Sequence, residues 1–147
     1  MMARPLFAVV GCAVAVAVTA LPADAASAVQ LGKIQYDAPG SDTSGNTSVN
    51  GEYVVIRNGG TTARSLKGWT VRDAAKHVYT FGTFTLGAGK SVVLRTGNGT
   101  NTSTTRYWGL GWHVWNNTGD TAYLRNSAGT AMDTCRWTSS RPGYKSC

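Results

Sequence analysis

The sequence predicts an all-β domain, an antiparallel sandwich of about eight or nine short strands. Three observations carry that expectation. Short runs rich in Val, Ile, Tyr, Trp and Thr recur along the chain. Gly, Ser, Thr and Asn fill the gaps between them, with 18 Gly against 4 Pro. No stretch of helical period separates the runs, which removes the α/β folds that need crossover helices. The chain is 42% hydrophobic with 5 Trp and only 14% charged, so it is not a disordered tail. At 147 residues it makes one domain, large enough to build its own core.

Val29 to Tyr36 reads as the first strand, and Asp37 to Gly51, rich in Gly, Ser, Thr and Asn, as a long loop. Glu52 to Asn58 is β-branched and aromatic and ends in the turn Asn58-Gly59-Gly60. Leu66 to Asp73 and His77 to Phe81 follow, then Ser91 to Arg95 after a Gly87-Ala88-Gly89-Lys90 turn. Tyr107 to Trp115 reads as an aromatic strand broken by Gly109 and Gly111, with Trp108, Leu110, Trp112 and Val114 alternating inward and Tyr107, His113 and Trp115 outward. Thr121 to Arg125 and Ala131 to Trp137 form a last pair joined by Asn126 to Gly129. Alternation points Val54, Ile56, Trp69, Val71, Tyr79, Phe81, Val92, Leu94, Ala122 and Leu124 into the core. It points Tyr53, Arg57, Arg72, Arg95, Tyr123 and Arg125 outward.

The N-terminus reads as a secretory signal. Arg4 precedes the apolar run Leu6 to Leu21, and Ala23-Asp24-Ala25 supplies a small-x-small cleavage motif. This predicts removal of residues 1–25, a secreted domain over 26–147 and no membrane span in the mature chain. Cys12 falls within the signal, which leaves Cys135 and Cys147 as an expected disulfide in an exported domain. Arg4 and Asp24 cancel, so the net charge of +7 stays with the mature chain. Such a balance favours anionic partners, nucleic acid or an anionic cell-wall polymer.

Several segments, in order, resemble the lamin-tail domain family. They are Glu52-Tyr-Val-Val-Ile-Arg-Asn58, Leu66-Lys-Gly-Trp-Thr-Val-Arg-Asp73, Tyr79-Thr-Phe81, Leu86-Gly-Ala-Gly89 and Trp115-Asn-Asn-Thr-Gly-Asp-Thr-Ala-Tyr-Leu124, closed by Gly129 and Asp133. The resemblance implies an immunoglobulin-like sandwich and a role for these residues in the fold rather than in an activity. The Trp-rich stretch Trp108 to Trp115 and the Cys-bounded C-terminus depart from the family's pattern.

Catalytic chemistry finds little support. No Gly-x-Ser-x-Gly elbow accompanies His77 or His113, and Asp73 with His77 reads as a surface pair. Asp37, Asp42 and Asn46 share a loop without the spacing of a calcium loop. The expectation is a monomeric, non-catalytic binding module without metal or cofactor. Its first candidate site is Arg57, Arg72, Arg95, Arg106 and Arg125, for DNA or a cell-wall phosphate polymer. If their strands share a sheet, Arg57, Arg95 and Arg125 form one stripe. The second candidate is Trp108, Trp112 and Trp115, stacking on sugar rings. A protein-interaction or structural module is the third reading.

Overall fold

The computed structural model describes residues 28–147, so the expected signal and its Ala23-Asp24-Ala25 motif lie outside the described residues. The elements are β1 (Val29–Gln35), α1 (Asn46–Val49), β2 (Tyr53–Asn58), β3 (Arg64–Ser65), β4 (Thr70–Arg72), β5 (Val78–Thr80) and β6 (Thr85–Leu86). They continue with β7 (Ser91–Arg95), β8 (Thr105–Tyr107), β9 (Asp120–Arg125), β10 (Ala131–Trp137) and β11 (Tyr144–Ser146). The larger sheet has the strand order β11-β1-β2-β7-β8 and the smaller one β10-β9-β4-β5, with β3 and β6 as a separate pair. Pairing is antiparallel except between β7 and β8, which run parallel.

The strands with clean alternation build the core. Val54, Ile56, Val92 and Leu94 of the larger sheet and Val71, Ala122 and Leu124 of the smaller one are at most 1% exposed. Burial of each larger side chain among these contributes about 1.5–3 kcal/mol. An aromatic chain fills one end of the sandwich. It runs from Tyr36 through Trp137, Trp115 and Trp108 to Tyr79 and Phe81, with neighbouring centroids 4.7–6.0 Å apart. Two of these rings have bonded polar ends, Tyr36 donating to the Ser139 carbonyl at 2.7 Å and Trp137 Nε1 to the Asn116 carbonyl at 2.8 Å.

The disulfide forms between Cys135 on β10 and Cys147 beyond β11, with their Cα atoms 5.8 Å apart. It crosses one edge of the sandwich and holds β11 where its residues pair with β1.

Several expectations are corrected. Leu66 to Asp73 is not one strand, because the chain turns at Gly68, whose φ of +78° few side chains tolerate, before β4 begins. Trp69 beside this turn is half-buried, as is Tyr79, rather than fully in the core. Tyr107 to Trp115 is a strand only as far as Tyr107; beyond it the chain is irregular, with Gly109 at φ +84°. Alternation therefore fails there: Trp115, expected outward, is 2% exposed, and Trp112, expected inward, is 54% exposed. The expected loop after β1 also holds the short helix α1.

Candidate functional site

The carboxylates of the described domain are largely turned inward onto backbone N–H groups. Glu52, fully buried, accepts from Val114 N at 2.9 Å and Trp115 N at 3.5 Å. Asp73 accepts from His77 N and contacts His77 Nδ1, both at 2.7 Å. Asp120 accepts from Ala74, Asn116 and Thr121 N at 2.7–3.1 Å. Asp133 accepts from Leu31 N and Thr134 N, each at 2.8 Å. Such bonds satisfy donors at strand ends and turns that would otherwise be buried without partners. Negative charge is thereby removed from the surface while the cations stay on it.

On the outer face of the larger sheet the register sets Tyr144, Gln35, Tyr53, Arg95 and Tyr107 side by side across five strands. Lys33 Nζ stands 4.5 Å from the Tyr144 ring centre and 5.9 Å from that of Tyr53. The Arg95 guanidinium lies 5.5 Å from the Tyr53 ring on the β7 side, and its Nη1 donates to the Asn50 carbonyl at 2.7 Å. Cations held against rings lose less side-chain freedom on binding an anion than freely rotating ones. Arg57 extends the face further along β2 and is exposed. The five strands of this sheet contain no Asp or Glu. A groove of about 730 Å³ borders the face at Lys33, Gln35, Arg141 and Tyr144, with Asp37 also in its lining.

The outer face of the smaller sheet is also cationic. Arg72 pairs with Tyr123 and sets its guanidinium 4.9 Å from that ring, with Arg125 on the diagonal neighbour position. Arg72 Nε and Arg125 Nε are buried and have no acceptor. Arg136 borders a second groove of about 700 Å³ with Thr121, Tyr123 and Thr134. Asp120 also lines that groove, with both carboxylate oxygens taken by backbone donors.

The candidate arginines are thus divided. Arg57 and Arg95 share one outer face, Arg72 and Arg125 the opposite one, so no single stripe forms. Arg106 pairs with the inward-facing Leu94, and its guanidinium packs 4.2 Å from the Phe84 ring, off both outer faces. Among the candidate tryptophans, Trp115 is in the core, Trp108 is half-buried against it, and Trp112 alone is open to solvent. Sequence reasoning missed Lys33 and Tyr144. Their common signal is strand order, which a single sequence does not contain.

A buried polar cluster ties the aromatic segment to α1. His113 Nδ1 faces Glu52 Oε1 at 3.3 Å. Its Nε2 faces Ser48 Oγ at 3.2 Å, the Thr43 carbonyl at 3.3 Å and Asp42 Oδ1 at 3.8 Å. His113 thereby links three segments, while its Nδ1 and Glu52 Oε1 are buried without a hydrogen-bond partner. Burial pushes the Glu52 carboxyl up from 4.5 to about 7, against the opposing pull of the Val114 N–H and His113. Asp37, Asp42 and Asn46 do not converge: Asn46 grips Asn98, and Asp42 accepts from Asn117 Nδ2. Among the described residues no three His, Cys, Asp or Glu side chains are placed to share a metal ion. No helix among them is long and apolar enough to cross a membrane.

An immunoglobulin-like sandwich whose polar residues mostly secure its turns, and whose side chains of interest lie on open sheet faces, defines a binding or structural domain. The sequence profile of the Lamin Tail Domain matches residues 22–139. The chain belongs to that family, whose immunoglobulin-like domain is non-catalytic. No curated protein matches the chain.

Proposed function

We propose that this domain acts outside the cell as a non-catalytic module that binds a phosphodiester polymer, nucleic acid or a cell-wall phosphate polymer. The observation that carries this reading is the Tyr144–Lys33–Tyr53–Arg95 ladder, with Arg57 beside it, on a sheet whose strands lack acids. Phosphate fits because a ring-packed guanidinium or ammonium keeps donors free for its oxygens. Export is supported by the disulfide, which an oxidising compartment maintains, and by the Arg4, Leu6 to Leu21 and Ala23-Asp24-Ala25 pattern.

Binding of duplex DNA and of poly(glycerol phosphate), measured over a range of salt concentrations, tests the reading. Affinity should fall steeply with salt, and Lys33→Ala with Arg95→Ala should flatten the log–log slope for duplex DNA by about 0.9 per lost phosphate contact. The two polymers compared at one ionic strength identify the preferred source of phosphate. Affinity that is independent of salt, or unchanged in the double variant, contradicts the reading. Trp112, 54% exposed, supports sugar stacking as the second reading; loss of binding to neutral glycans in Trp112→Ala, at any salt, would favour it.

A further inference from the structure

The division of the arginines between opposite faces has a functional consequence. The two sheets pack through their inner faces, so Lys33, Arg57 and Arg95 point away from one side of the sandwich and Arg72, Arg125 and Arg136 away from the other. A straight polymer lying on one face cannot reach the other across a core about 10 Å thick plus its side chains. Each face has its own cations, its own ring-packed cation and its own bordering groove. The smaller sheet does contain Asp120 and Asp133, but each is committed to backbone N–H groups.

We infer that the domain is bivalent: one molecule binds two separate phosphodiester strands, one on each outer face, and bridges them. This rests on the proposed function and extends it from a binding module to a cross-linker of anionic polymer. The ligand class is the same on both faces because the chemistry is alike, guanidinium groups beside tyrosine rings, joined on the larger sheet by the Lys33 ammonium. Asp37 in the lining of one groove disfavours anion density there, so the polymer on the larger sheet lies toward Tyr53, Arg95 and Arg57 rather than along Arg141.

Donor-labelled and acceptor-labelled duplex DNA, mixed with the protein, give the test, repeated with labelled poly(glycerol phosphate). Energy transfer between the two labelled populations should appear as protein is added and fall again when protein is in excess, as each strand acquires its own molecule. Sedimentation of the protein alone should show a monomer at the concentrations used. The triple variant Arg72→Ala/Arg125→Ala/Arg136→Ala should keep binding, read by fluorescence polarisation, within about tenfold of the parent yet lose the energy transfer. Lys33→Ala/Arg57→Ala/Arg95→Ala should do likewise, and thermal melts confirm that both fold. Normal binding with no energy transfer at any ratio overturns bivalency while leaving the binding function intact. So does energy transfer that survives in either triple variant, or that tracks protein dimer. Absence of binding by the parent protein overturns the functional reading and this one together.

Discussion

The carboxylates and the cations of this domain occupy different regions and do different work. Glu52, Asp73 and Asp120 are at most 7% exposed and accept backbone N–H groups at the ends of strands and in turns. Arg57, Arg72, Arg95, Arg125 and Lys33 stand on outer faces, several against tyrosine rings. A net charge of +7 therefore understates the positive character of the surface, since many of the compensating acids are turned inward. The comparison predicts that removing an acid costs stability and that removing a facial cation costs binding.

The largest effect belongs to Glu52. Glu52→Ala leaves the Val114 N–H, and the weaker Trp115 contact, buried without an acceptor, and should cost about 2–4 kcal/mol in urea unfolding. Glu52→Gln, which keeps an acceptor oxygen, should lose less. Next is the disulfide. Cys147→Ser should lower stability by about 3 kcal/mol through the freed C-terminal loop, and the unreduced parent should contain no titratable thiol at Cys135 or Cys147. Asp120→Ala strands three backbone donors near the surface and should cost about 1–3 kcal/mol.

The buried carboxyl also sets a pH dependence. Glu52 holds its proton more tightly in the folded state, about 7 against 4.5, so its contribution is complete below pH 4.5 and lost as pH rises through about 7. Unfolding free energy measured across that window should decline with pH, and Glu52→Gln should flatten the decline. A parent profile parallel to that of Glu52→Gln would contradict the assignment. The smallest stability effects belong to the facial cations: Arg57→Ala and Arg125→Ala should each change unfolding free energy by no more than about 0.5 kcal/mol. A facial arginine costing as much as Asp120 would erase the distinction between the two regions.

Much of the fold was legible in the residues. The runs at β2, β7 and β9 carry aliphatic side chains at every second position, and the inner positions Val54, Ile56, Val92, Leu94, Ala122 and Leu124 followed directly. The aromatic segment was not legible, because Gly109 and Gly111 interrupt the strand and the group that turns Val114 and Trp115 inward, Glu52, lies more than sixty residues earlier. The candidate site was half legible. Which arginines face outward depends on local alternation, but which share a face depends on strand order, and β9 lies in the other sheet from β2 and β7. Arg106 was misplaced for a related reason: the parallel pairing of β7 and β8 aligns it with Leu94.

The most direct measurement of the central claim is amide chemical-shift mapping while the protein is titrated with a short duplex DNA or poly(glycerol phosphate) at low salt. The account predicts perturbations clustered on Gln35, Tyr53, Val55, Arg57, Val93 and Arg95 of the larger sheet, and on Arg72, Tyr123 and Arg125 of the smaller one. Perturbations confined to the segment around Trp112, or scattered over the surface without regard to the sheets, would contradict it.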